Sequence, residues 1–150
     1  MPPGSVYAES RVAFCKEPRM KRLVLLAAFA FAPAAASAQT VTTEVQRLGK
    51  SQVTLHLHPF LTAEELATLR VVATNEQALA LFVTRPGRHS AIAVAPGEGF
   101  IRNGTPVASA TALSDLRDAE TARTDAVTAC TAARTKGPDC VVVLEVAPFR

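Results

Sequence analysis

The chain has 150 residues with 16 basic and 13 acidic side chains, and its formal net charge is +3. Residues 1–38 carry five of the basic and two of the acidic side chains, so residues 39–150 are formally neutral with eleven of each. A neutral segment with few aromatic residues excludes a general nucleic-acid binder, which needs a basic face for phosphates and aromatic platforms for bases. Its length fits one domain with one core.

Residues 20–38 have the organisation of a secretory signal peptide. Lys21 and Arg22 form a positive n-region, residues 23–32 an apolar h-region, and Ala36-Ser37-Ala38 a cleavage site of small residues. The apolar run is shorter than the ~20 residues of a membrane span. We therefore expect cleavage of this leader and no membrane span in what remains.

A second methionine, Met20, stands directly before this n-region. We interpret residues 1–19 as a mis-assigned upstream start; the alternative is an unusually long n-region. In either case the pattern predicts one exported domain over residues 39–150, located in the periplasm or secreted.

The first part of the exported segment contains one clear strand. Residues 39–50 are polar and weakly patterned, and we expect a frayed segment that is helical in part. Residues 52–58 alternate strictly, with Val53, Leu55 and Leu57 on one face, which predicts a half-buried strand that ends at Pro59.

A helix follows, because residues 61–66 carry three helix-start signals. Thr62 is placed as the N-cap, Glu65 completes a capping box, and Leu61 with Leu66 is placed to form a hydrophobic staple. The helix is predicted from Ala63 to residue 69 or 70. Residues 70–73 fit either a continuation of the helix or a strand.

The middle of the chain predicts an antiparallel β-meander. Residues 85–88 have the Pro-Gly centre of a type II turn, residues 96–99 form a second turn, and Asn103-Gly104 is a strong two-residue hairpin signal. Strands are expected on either side of these turns, at 79–83, 90–95, 100–102 and 105–109.

The last part of the chain predicts a long helix and a central strand. The helix is expected from Ser114 or Asp115 to about Lys136, and Gly137 is placed to end it. Residues 140–146 form an apolar, β-branched run that is typical of a central strand. One helix face carries small side chains that allow close packing on a sheet, at Ala119, Ala122, Ala126, Ala129, Cys130 and Ala133.

The expected fold class is therefore α+β. It comprises an antiparallel meander sheet, one long alanine-rich helix packed on it, a short N-terminal helix and one disulfide.

Cys130 and Cys140 are the only cysteines of the exported segment. Cys130 lies roughly 9 Å before the expected helix end, and three extended residues after Gly137 return the chain by ~10 Å. The two thiols can therefore meet. In an oxidising compartment the pair predicts a structural disulfide worth roughly 3 kcal/mol. The alternative is a redox-active or nucleophilic cysteine, but the chain has no Cys-x-x-Cys motif.

The three histidines are candidate metal ligands. His56 and His58 lie on one face of the same predicted strand, a spacing that can chelate Zn²⁺ or Cu²⁺, and His89 is the only further imidazole. The alternative is that Thr54, His56 and His58 form the solvated face of an edge strand.

Three segments resemble a family of small secreted bacterial domains of unknown function. They are Ser90-Ala91-Ile92-Ala93-Val94, the alanine-rich helix that ends in Cys130, and Gly137-Pro138-Asp139-Cys140-Val141-Val142-Val143. The resemblance covers about residues 89–146 and implies a secreted domain of similar architecture. The chain departs from the family at Ser90, where glycine is usual, and it lacks further cysteines.

The sequence contains no recognisable catalytic or phosphate-binding motif, and we expect no cofactor. A pyridoxal-phosphate enzyme such as 5-aminolevulinate synthase is excluded, because it needs a large two-domain body and a Schiff-base lysine. The exported segment offers only Lys50 and Lys136.

The leading hypothesis is a non-catalytic binding or accessory domain, with another envelope protein as the expected partner. The contact surface would be the face with Thr54, His56 and His58, or the loops near Arg85, Arg88 and Arg102. The alternatives are a metal-binding protein that uses His56, His58 and His89, or a small hydrolase.

Overall fold

The computed structural model describes residues 40–149, so the predicted upstream start (1–19) and signal peptide (20–38) lie outside the described residues. The described elements, in chain order, are β1 (Thr42–Leu48), β2 (Ser51–Leu57), α1 (Ala63–Thr74), α2 (Glu76–Phe82), β3 (His89–Val94), β4 (Ile101–Arg102), β5 (Thr105–Pro106), β6 (Thr111–Leu116), α3 (Ala119–Ala133) and β7 (Val141–Pro148).

Five of the strands form one antiparallel sheet in the order β1-β2-β7-β3-β6, and β4 pairs with β5 in a separate ribbon. The α+β class, the antiparallel sheet, the long helix and the disulfide are confirmed. The predicted meander is wrong, because residues 79–82 are helical and β4 and β5 lie outside the main sheet. In that sheet β7 lies between β2 and β3. The apolar run at the end of the chain is therefore the middle strand, as its composition predicted.

The sheet separates two apolar layers. On one side, which we call the α1 face, β2, β3 and β7 pack against α1 and α2 around Val53, Leu55, Leu69 and Leu144. On the other side, the α3 face, small side chains of β3 meet the alanine face of α3. That second layer consists of Ala91, Ala93, Ala95, Ala122, Ala126, Cys130 and Cys140.

The polar segment before residue 51 is a strand, which corrects the prediction of a frayed, partly helical segment. β1 pairs with β2 in unbroken register from Thr42 opposite Leu57 to Leu48 opposite Ser51. The turn between them uses Gly49 at φ +55°, where glycine avoids the steric penalty of other residues. A strand that is exposed on both faces needs no apolar alternation, so its sequence carried no periodic signal.

Helix α1 begins as predicted. The Oγ1 of Thr62 accepts a hydrogen bond from the Glu65 N–H at 3.2 Å, and the Glu65 carboxylate accepts one from the Thr62 N–H at 2.8 Å. This reciprocal capping box satisfies two N–H groups that would otherwise lack partners. The helix continues to Thr74, so residues 70–73 are helical.

The strand predicted at 79–83 is wrong, since these residues belong to α2 and its C-cap. Asn75 caps this short helix, because its side-chain oxygen accepts the Ala78 N–H at 2.9 Å. The following type II turn is confirmed. Gly87 has φ +91°, and the Arg88 N–H donates to the Arg85 carbonyl at 3.3 Å. This turn connects α2 to β3, whereas the sequence predicted a strand on each side of it.

The Asn103-Gly104 hairpin is also confirmed, with both residues at positive φ as a type I′ turn requires. Its strands are only two residues long, so it forms a surface ribbon beside the main sheet.

Helix α3 starts later than predicted. Residues 111–116 form β6, and the N-cap is Asp118, whose carboxylate accepts the Thr121 N–H at 2.8 Å. Asp115 lies in β6 with φ +64° and accepts the Arg85 N–H at 2.9 Å. Of the predicted small-residue face, Ala122, Ala126 and Cys130 are buried against the sheet.

The helix ends at Ala133, before the predicted Lys136, so Gly137 is not the residue that ends it. Gly137 has φ +86°, and a Cβ there would lie 2.9 Å from the Cα of Gly97. Its lack of a side chain therefore allows the loop after α3 to contact the loop after β3.

Replacing Gly137 by alanine is expected to destabilise the protein more than Gly104→Ala. Both glycines have positive φ, which costs another residue about 1–2 kcal/mol, but nothing lies within 4 Å of the Gly104 position. The clash with Gly97 should add about 1 kcal/mol or more. Urea unfolding of both variants measures the difference, and equal losses would contradict the proposed close contact.

The disulfide joins Cys130 of α3 to Cys140 directly before β7, with the two Cα atoms 6.0 Å apart. Both residues are buried. The bond therefore fixes α3 to the central strand beneath it.

Candidate functional site

The α3 face of the sheet is wider than the helix that covers it. α3 packs on β3, β6 and β7, and within the described residues no helix lies over β1 and β2 on that side. Residues that are directly opposite in neighbouring strands share a face. We call the uncovered area the open surface; it is formed by Thr43, Val45, Arg47, Gln52, Thr54, His56 and His58.

The open surface combines polar and apolar character. Val45 is 54 % exposed at its centre, opposite Thr54. At one end, the guanidinium of Arg47 lies 3.5 Å from the centroid of the Phe149 ring. At the other end, the ring of His58 lies 5.3 Å from that of Phe60. The open surface therefore presents one exposed aliphatic side chain and several polar groups between two aromatic rings.

Its border with α3 is a charged network centred on Glu145 of β7. The Nε2 of His56 lies 2.9 Å from one carboxylate oxygen, and the Nε of Arg123 donates to the other at 2.7 Å. These bonds, first from His56 and then from Arg123, lower the pKa of Glu145. The carboxylate therefore stays ionised and holds both side chains in place.

The structure brings two of the three predicted metal ligands together. The rings of His56 and His58 are 6.3 Å apart, but His56 binds Glu145 and the Nε2 of His58 donates to the Val142 carbonyl at 2.9 Å. His89 lies at the start of β3, where it pairs with β6. Among residues 40–149 no group of three or more His, Cys, Asp or Glu side chains is placed to hold a metal ion.

β2 is not the edge strand that the alternative reading of the histidines assumed, because β1 lies outside it. Thr54, His56 and His58 are half-buried and not fully solvated. On this side of the sheet the edge strand is β1.

Two carboxylates outside the open surface, those of Glu65 and Glu98, each accept four hydrogen bonds. Glu65 is fully buried, and its Oε1 accepts hydrogen bonds from the N–H groups of Phe100 and Ile101 at 2.6 and 3.1 Å and from Arg102 at 2.5 Å. Burial alone would raise its pKa, but the backbone hydrogen bonds outweigh burial and lower the pKa to about 2. The sequence predicted only its capping role.

Glu98 joins the loop after β3 to the loop after α3. It accepts hydrogen bonds from the hydroxyls of Ser109 and Thr135 and from the N–H groups of Thr135 and Lys136, at 2.5 to 3.0 Å. The hydroxyl bonds are the main reason that its pKa falls to about 2. No sequence signal pointed to this role, because its partners are 11 to 38 residues away.

These carboxylates predict a loss of stability in acid. In the unfolded chain their pKa is near the ordinary 4.5, whereas in the folded protein it is about 2. The unfolded state therefore takes up protons first as the pH falls. The stability that they contribute should be complete above pH 4.5 and disappear as the pH approaches 2. Unfolding free energies from urea titrations across this range test this; a Glu65→Gln/Glu98→Gln variant should show a shallower dependence.

The predicted arginine loops have different environments. Arg85 and Arg88 are exposed at the type II turn, whereas Arg102 forms an ion pair with buried Glu65. The three arginines therefore do not share one role, and Arg102 is a structural contact.

A cavity of about 330 Å³ lies on the opposite side of the domain from the open surface, between the β1–β2 turn and α2. Leu48, Leu79 and Val83 form its apolar wall, and Lys50 and Glu76 line it with charged side chains. Its volume is at the lower end of the range for small-molecule sites.

The fold and the open surface define a disulfide-linked α+β domain with an uncovered sheet face. Comparison with protein-family models, with curated proteins and with solved structures gives no significant match. None of the helices in the described residues has the length and apolar character to cross a membrane.

Proposed function

We propose that this chain is an exported, non-catalytic binding domain that contacts another envelope protein through the open surface. The observation that carries the proposal is that α3 leaves the β1–β2 half of one sheet face uncovered. This half presents exposed Val45 beside ordered polar groups, which include His56 held by Glu145.

Export is supported by two features. Residues 20–38 have the pattern of a cleavable leader, and the disulfide is of a kind that persists in oxidising compartments. Protein recovered from the periplasm should have the intact mass of a chain that begins at Gln39 and contains one disulfide. A retained leader or a cytoplasmic location would contradict the proposal.

The non-catalytic assignment is supported by the state of the strongly perturbed carboxylates. A general base works best with a pKa near the ambient pH, whereas Glu65 and Glu98 have pKa values of about 2. Both oxygens of each carboxylate accept hydrogen bonds from the protein. Their role is to connect loops and helices.

Site-specific photo-cross-linking in the periplasm tests the proposal. A photoreactive residue at Thr54 should give a cross-link to one second protein, and an excess of purified, unmodified domain should suppress it. The same residue at Leu81, which is 89 % exposed on α2, is the matched control on the other side of the sheet. The same product from both positions, or no heterologous product from Thr54, would overturn the proposed surface.

A further inference from the structure

We propose that β1 is a self-association edge, at which two copies of this chain pair their β1 strands antiparallel about a two-fold axis. This inference is independent of the proposed function. It extends the five-stranded sheet of one protomer into a continuous ten-stranded sheet across the dimer.

The two edges of the sheet differ in their protection. The β6 edge is irregular, because the pairing register of β3 with β6 shifts between His89 and Ala91 and Asp115 has φ +64°. Irregularities of this kind prevent edge-to-edge pairing. β1 has seven residues in unbroken register with β2, and its sequence contains no proline, glycine or lysine.

The two charges of β1 are held within the protomer. Glu44 binds Arg70 of α1 through two hydrogen bonds, of 2.7 and 3.2 Å. Arg47 lies on the opposite face over the ring of Phe149. Both side chains therefore lie above or below the sheet, where they oppose pairing of β1 with another strand less than charges directed along the edge would. Val45 in this strand is 54 % exposed, and Val41 directly before it is 36 % exposed.

Symmetry restricts the registers that two β1 strands can use. Antiparallel pairing about a two-fold axis requires the axis to be perpendicular to the sheet, so each residue pairs with a residue of the same face. An axis at Val45 places Val45 opposite its own copy, Glu44 opposite Gln46, and Thr43 opposite Arg47. An axis at Glu44 or Arg47 would place like charges opposite each other, which is destabilising.

The Val45-centred register avoids these like-charge pairs, and it is the one that pairs all seven residues of β1, with Thr42 opposite Leu48. It therefore favours a second copy as the occupant of this edge. The carboxylate of Glu44 lies opposite the amide of Gln46, and the hydroxyl of Thr43 lies opposite the guanidinium of Arg47. The exposed Val45 side chains of the two copies pack on each other. The α1 faces of both copies lie on one side of the extended sheet, and the two open surfaces lie together on the other side. The dimer would thus present one four-stranded surface, β2-β1-β1-β2, between two α3 helices.

Sedimentation analysis of the mature protein over a range of concentrations tests the dimer. We expect a concentration-dependent species of twice the chain mass. Val45→Asp places two carboxylates directly opposite each other and should weaken dimerisation at least tenfold. Val71→Asp is the matched control, because Val71 is also 54 % exposed but lies on α1, and it should leave dimerisation unchanged.

The register is tested separately with single cysteines and a short thiol cross-linker on folded protein. Val45→Cys should cross-link efficiently, because its Cβ atoms would be about 5 Å apart, whereas Glu44→Cys and Gln46→Cys should cross-link less. A wild-type protein that stays monomeric at several hundred micromolar would overturn the proposal. Equal effects of Val45→Asp and Val71→Asp on dimerisation would also overturn it. Efficient cross-linking only at a position other than 45 would overturn the register.

Discussion

Replacing Glu65 by alanine should destabilise the protein by about 3–5 kcal/mol, because each backbone donor that loses its acceptor costs about 1–3 kcal/mol. The substitution removes the acceptor for the N–H groups of Phe100 and Ile101 and leaves Arg102 without its carboxylate. It also removes half of the capping box of α1. Urea unfolding at neutral pH measures the loss.

The neighbouring Glu64 provides the matched control. It lies in the same helical turn but is exposed, so Glu64→Ala should change the unfolding free energy by no more than about 0.5 kcal/mol. Similar effects of the two substitutions would show that the carboxylate of Glu65 does not connect the β4–β5 ribbon to α1.

Removing the disulfide should cost about 2–4 kcal/mol, mainly because the bond restricts the unfolded chain. The double variant Cys130→Ala/Cys140→Ala avoids leaving a free thiol, and its urea midpoint should fall accordingly. Both sulfurs are buried between α3 and the start of β7, so some loss of packing should add to the effect.

Thiol labelling provides the second readout. Native protein that begins at Gln39 should contain no reactive thiol, and the same chain when unfolded and reduced should contain two. Two reactive thiols in the native state, or a double variant as stable as wild type, would contradict a structural role for this bond.

The features that the sequence predicted correctly are those with local signals. The capping box of Thr62 and Glu65 and the turn at Gly87 depend on residues within four positions of each other. The pairing of Cys130 with Cys140 spans ten residues and one helix end. The alternation of β2 correctly placed His56 and His58 on the face opposite Leu55.

The errors concern elements that tertiary contacts stabilise. β1 is polar and exposed, so the β2 ladder and not an apolar pattern makes it a strand. In α2, only Leu79 is buried, so its apolar run did not distinguish helix from strand. The start of α3 was placed too early because Asp115, which resembles an N-cap in sequence, instead binds the loop before β3.

The open surface could not be predicted as a whole. It exists because β7 inserts between β2 and β3, which moves β1 and β2 beyond the width of α3. Strand order is a long-range property, and neither hydrophobic periodicity nor turn signals encode it. The histidine face was predictable, but its border with Glu145 and Arg123 depends on that order.

The most direct test of the proposed function is a binding titration of the purified domain with the protein that cross-links to Thr54. Thr54→Arg places a bulky charge in the middle of the open surface and should weaken binding at least tenfold. Leu81→Arg, on the other side of the sheet, should bind like wild type, and both variants should keep the wild-type melting temperature. Equal affinity of the Thr54→Arg variant and wild type would contradict a binding role for the open surface.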